Sequence, residues 1–108
     1  MAWITRDVVA DVTLHLREDG SPQKPPYISA GYRNSHIYFG DDEDKNIWGS
    51  FFPLVENTPL AGQTGSVRIV LGGPSEELDS ELHPGACFSF FVGKRRIGTG
   101  QITAVLPD

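Results

Sequence analysis

Residues 8 to 16 read Val8-Val9-Ala10-Asp11-Val12-Thr13-Leu14-His15-Leu16. The even positions are all apolar, and the odd positions from Asp11 onward are polar. A period of two is the spacing of a strand with one face on a core and one in water. A helix would need apolar residues every three to four positions, and no window of eleven or more residues keeps such a stripe. The chain is therefore read as all-β from this segment outward.

The same grammar recurs downstream. Arg17-Glu18-Asp19-Gly20-Ser21-Pro22 ends the first strand in a turn. Pro25-Pro26 keeps the next stretch extended and outside any ladder. Tyr27 to Tyr32 and Ser35 to Phe39 are aromatic-rich β-type segments. Asp41-Asp42-Glu43-Asp44 reads as an acidic loop, followed by a short strand Ile47 to Phe52 closed by Pro53. Asn57-Thr58-Pro59 and Gly62 mark turns. Ser66 to Leu71 alternates, Gly72-Gly73-Pro74 opens a second acidic loop, and Ser75 to Leu82 has room for one helical turn. His83-Pro84-Gly85 is a turn, Cys87 to Val92 a strand, Gly93-Lys94-Arg95 a tight connection, and Arg96 to Leu106 the last strand. Gly98 and Gly100 are expected at bends or bulges in it. Many short strands separated by turn residues predict a sandwich or barrel.

The 108 residues fit one domain, 1–108, able to bury a core without staples. The 12 glycines and 8 prolines favour many turns over long helices. A net charge of −5 argues against strong nonspecific binding to nucleic acid or anionic membrane. One cysteine, Cys87, excludes an intrachain disulfide. Met1 to Asp7 lacks a basic flank followed by an apolar run, so no signal peptide is expected and the cytoplasm is the expected compartment.

Leu82 to Ile102 carries Gly93 and Arg95 in a turn and Ile97-Gly98-Thr99-Gly100 in the strand after it. This stretch resembles the end of the third, C-terminal domain of elongation factor Tu, where a strand, a glycine-rich turn with Arg and a Val-Gly-x-Gly strand close the domain. Val8 to Leu16, Gly31-Tyr32-Arg33, Tyr38-Phe39, Leu60-Ala61-Gly62 and Ser66 to Leu71 follow the same order, so the resemblance spans about residues 8 to 106. It implies a closed antiparallel β-barrel of Greek-key type. It also implies that Arg33, beside Tyr32, and Gly93 take the places that lie near the T-stem of a bound tRNA. The chain departs from that pattern at Val92, where the family has an acid, and at Asn34-Ser35, where it has Pro-Gln.

Motifs for chemistry are missing. Gly93-Lys94 is followed by Arg95, and position 88 is Phe, so no phosphate loop is formed and no nucleotide is expected. His15, His36, His83 and Cys87 lack ligand spacing, so no metal or other cofactor is expected. Cys87 reads as a packed small side chain, His15 as a solvated one and His83 as a turn cap. Trp3, Tyr32, Tyr38, Phe39, Trp48, Phe51, Phe52, Phe88, Phe90 and Phe91 are expected mostly to supply the core. Phe91 faces opposite to Phe88 and Phe90, either beneath a loop or in an exposed interface patch. Lys94-Arg95-Arg96 is the basic cluster, placed at a hairpin tip. The expectation is a non-enzymatic binding module with a protein partner linked to translation or toxin immunity. The alternative is an RNA-binding translation accessory. The candidate residues are Tyr32, Arg33, Gly93, Lys94, Arg95 and Arg96, and no membrane partner is expected.

Overall fold

The computed structural model describes residues 3–17, 19–21, 32–39, 42–55 and 59–107, with backbone alone for 32–34 and 42–45. The readings of Pro25-Pro26, of residues 27 to 31 and of Asn57-Thr58 lie outside them. Six strands and one short helix follow in the order β1 (Trp3–Leu14), β2 (Tyr32–Phe39), β3 (Asp42–Pro53), β4 (Thr64–Pro74), α1 (Ser75–Asp79), β5 (Cys87–Val92) and β6 (Arg95–Val105). Every strand pairing is antiparallel, and the spatial order β1-β4-β3-β2-β5-β6 closes on itself. β2, β3 and β4 form a meander and β1 returns beside β4, which is the Greek-key connection. Closure pairs Val8 to Thr13 of β1 on both sides, while Trp3 to Asp7 pair with β4 alone.

Alternation explains the interior. Val8, Ala10, Val12 and Leu14 from β1 meet Ile37 and Phe39, Ile47 and Phe51, Val67, Ile69 and Leu71, Phe88 and Phe90, and Ile97 and Ile102. Phe51 and Phe90 rings lie 4.7 Å apart at the centre. Leu78 of α1 is fully buried and joins this core, so a helix too short to persist alone is held by the barrel. The Asn46 amide donates to Glu77 Oε2 at 3.0 Å, fixing α1 to β3.

Several expectations are corrected. β1 ends at Leu14, so Leu16 leaves the inner face and is 47% exposed. The acidic run Asp42-Glu43-Asp44 opens β3 instead of forming a loop, because Phe39 pairs directly with Asp42. Gly72-Gly73-Pro74 stays within β4, which pairs with β1 as far as Trp3↔Pro74. Gly72 lets the Trp3 indole lie on bare backbone, and Gly73 is buried against the Asn46 carbonyl and Ile47. The β5–β6 irregularity falls between Phe90 and Phe91, across from Ile97, and not at Gly98 or Gly100. Those two glycines make room for rings: a Cβ at Gly98 would overlap the Thr13 carbonyl and the Phe90 ring, and one at Gly100 would sit 2.5 Å from the Phe88 ring. Trp3, Tyr38, Trp48, Phe52 and Phe91 lie outside the core, while Phe39, Phe51, Phe88 and Phe90 are in it. Cys87 is exposed, because the parity that buries Phe88 turns Cys87 outward.

Candidate functional site

Antiparallel closure sends the ends of β1, β3 and β5 and the starts of β2, β4 and β6 to one rim. That rim gathers Leu16 and Arg17 after β1, Leu54 and Val55 after β3, Leu60 and Ala61 before β4, and the Gly93-Lys94 turn leading into Arg95 and Arg96. Tyr32 and Arg33 start β2 at the same rim. Continuing the register His36↔Phe91 outward brings Arg33 level with the turn. The six residues singled out by sequence thus share one end of the barrel, though the side chains of Tyr32 and Arg33 lie outside the described residues.

The turn owes its shape to Gly93, whose φ of +62° is left-handed and costs glycine little. Lys94, Arg95 and Arg96 are exposed beyond it. Between this turn and the chain after β1 lies an open cleft of about 870 Å³, lined by His15, Leu16, Arg17, Asp19, Phe91 and residues 94–96. No carboxylate pairs with Lys94, Arg95 or Arg96 among the described residues. Asp19 is held locally, accepting hydrogen bonds from the Ser21 amide at 2.9 Å and the Ser21 hydroxyl at 2.6 Å. Those bonds, the hydroxyl's above all, lower its pKa, with a smaller contribution from Arg17. His15 is partly buried in the wall, its Nε2 3.4 Å from Thr99 Oγ1 and its amide donating to the Ile97 carbonyl at 2.8 Å. Burial, and behind it the charge of Arg96, lowers the His15 pKa from 6.5. His15 keeps the outward parity of β1 that alternation suggests, but packing beside Thr99 leaves it half-buried instead of fully solvated.

Phe91 links the cleft to the outer face of β5, β2 and β3. Its ring lies 4.7 Å from Tyr38, Tyr38 packs edge-on against His36 at 4.4 Å, and His36 stacks on Trp48 at 4.7 Å and 11°. Trp48 Nε1 donates to Asn46 Oδ1 at 2.7 Å. These are cross-strand neighbours, with His36 opposite both Trp48 and Phe91. Tyr38 and Trp48 were expected in the core, and Phe91 beneath a loop or in an exposed patch. The parity of Ile37, Phe39, Ile47 and Gly49 around them carried the signal that they face out.

The opposite end is acidic. Asp42, Glu43 and Asp44 begin β3 there, and Glu76, Glu77 and Asp79 of α1 follow β4. Arg6 answers Asp79 at 3.3 Å. No group of three or more His, Cys, Asp or Glu able to hold a metal occurs among the described residues. No helix among them is long and apolar enough to cross a membrane. Compared with family models and with curated proteins, the sequence matches none.

Proposed function

We propose that the chain is a non-catalytic binding module that engages a protein partner through the rim bearing Gly93 to Arg96. The observation that carries this reading is the meeting, at one rim, of cations that pair with no described carboxylate and exposed Leu16, Leu54, Val55 and Leu60. Aromatic and Arg side chains beside apolar area are the composition of protein interfaces. Resemblance to the third domain of elongation factor Tu makes the translation apparatus, or a toxin directed at it, the first place to seek the partner.

The test is affinity capture from RNase-treated lysate with the wild-type chain, a Lys94→Ala/Arg95→Ala/Arg96→Ala rim variant, and a Thr103→Ala variant as control. A protein retained by the wild type and the control but lost from the rim variant supports the reading. Equal retention by all three removes it.

A second reading is RNA binding through Arg33, Lys94, Arg95 and Arg96, favoured by the same cluster of cations. It predicts capture that RNase abolishes and an affinity that falls steeply with salt. Gel retardation of tRNA at low salt checks it.

A further inference from the structure

The chemistry of the cleft narrows the kind of partner, on the assumption that the rim is the binding surface. Beside the cleft β1 is paired on both sides, Thr13 lying opposite Thr64 and Thr99, so among the described residues no ladder edge opens there and a partner is held by side chains. Among the described residues that line the cleft, Arg17, Lys94, Arg95 and Arg96 are cationic and Asp19 is the carboxylate. That carboxylate is fixed in its ionised form by Ser21. A phosphodiester strand carries charge at every step and has no neutral unit to set beside Asp19. A peptide can place its acids opposite the arginines and another residue opposite Asp19. The cleft also has apolar wall: Leu16 is 47% exposed, and Phe91 is half-buried between the turn and Tyr38. Phosphate backbones make no use of an exposed Leu, whereas a protein segment with an apolar anchor does.

We propose that the cleft between the end of β1 and the β5–β6 turn receives an acidic segment of a protein partner, with carboxylates on Arg17 and Arg96 and an apolar side chain seated between Leu16 and Phe91. Planar guanidinium groups take a carboxylate through two parallel N–H···O bonds, which fixes direction as well as position. The acids at the far end of the barrel repel such a segment and turn the basic rim toward it.

The test titrates the whole chain with a synthetic peptide of alternating Glu or Asp with Leu or Phe. Parallel titrations use the same peptide with every acid amidated, and an oligouridylate of equal charge. The acidic peptide is expected to shift the backbone amide resonances of Leu16, Phe91 and Gly93. Its affinity should fall about tenfold in Arg96→Gln, as for loss of a charge-assisted bond, and less in Arg96→Lys, which keeps charge but not the fork. The amidated peptide should leave these resonances in place. Tighter binding by the oligouridylate at the same amides overturns the proposal in favour of nucleic acid. Equal affinity for wild type and Arg96→Gln overturns it too, as does no binding by the acidic peptide at all. In that last case the rim-variant capture still decides whether the rim binds protein.

Discussion

At the scale of single residues, Gly98 and Gly100 carry the firmest requirement in the barrel. The rings of Phe90 and Phe88 lie across these positions from β5, and at Gly98 the Thr13 carbonyl closes the other side. A backbone carbonyl cannot swing away as a side chain can, so Gly98→Ala is expected to destabilise by about 3 kcal/mol, the upper part of the overpacking range. Gly72→Ala meets only the exposed Trp3 indole at 3.2 Å and should cost under about 1 kcal/mol. Urea unfolding of the two variants checks the ranking, and equal losses would show that the barrel wall yields at Gly98. Alternation made these glycines visible in sequence but not their reason, because the rings they accommodate come from another strand. A related limit explains Leu16. Face is legible from parity, whereas the residue at which a strand stops depends on its partners.

His15 belongs to this scale as well. Its pKa is lowered by burial first and by Arg96 second, so the unfolded chain takes up the proton before the folded one does. The contribution is absent above 6.5 and becomes a loss of stability as pH falls through 6.5 toward the folded value. His15→Gln should therefore flatten the fall in stability just below that pH, followed by urea midpoints. In Arg96→Gln the His15 ring resonance should titrate higher than in wild type yet still below 6.5, because burial is the larger cause. A titration unmoved by this change would place Arg96 too far away to shape the cleft.

Among the elements, the β5–β6 hairpin positions the cations and α1 seals the other end. Gly93 holds φ at +62° in open space, so the cost of a side chain there is conformational and not steric. Gly93→Asn should be nearly neutral and Gly93→Val should cost about 1–2 kcal/mol, since Asn enters the left-handed region far more readily than a branched residue. Thermal melts separate them. For α1, Leu78→Ala removes a fully buried side chain from a five-residue helix and should cost about 2–4 kcal/mol. The hairpin was legible because Gly93-Lys94 sits between two alternating runs. The length of β4 was not, since Gly72-Gly73-Pro74 has the composition of a turn, and only pairing with Trp3, Ile4 and Thr5 keeps it extended. The candidate site was half legible. Its basic turn was read from sequence, and Phe91 is paired with Arg96 across that hairpin, but Leu16 and Arg17 join it only because closure brings the end of β1 beside β6.

For the whole molecule the deciding quantity is the distance between unlike charges. The formal charge is −5, but among the described side chains Arg17, Lys94, Arg95 and Arg96 gather at one rim beside Asp19, and Glu76, Glu77 and Asp79 at the other beside Arg6. The molecule measures 40 × 27 × 22 Å along its principal axes, more in every direction than the screening length of about 10 Å at 0.1 M salt. Each end therefore presents its own sign to a surface or partner, whatever the sum. A cation exchanger at pH 7 and low ionic strength should thus retain this net-negative protein through its basic rim. The Lys94→Gln/Arg95→Gln/Arg96→Gln variant should pass through. A variant with Glu76 and Glu77 changed to Gln should be held at most slightly longer, since those groups face away from the matrix. Flow-through of the wild-type chain would mean that the acidic end dominates the field at the rim, and the steering assigned to it would be lost.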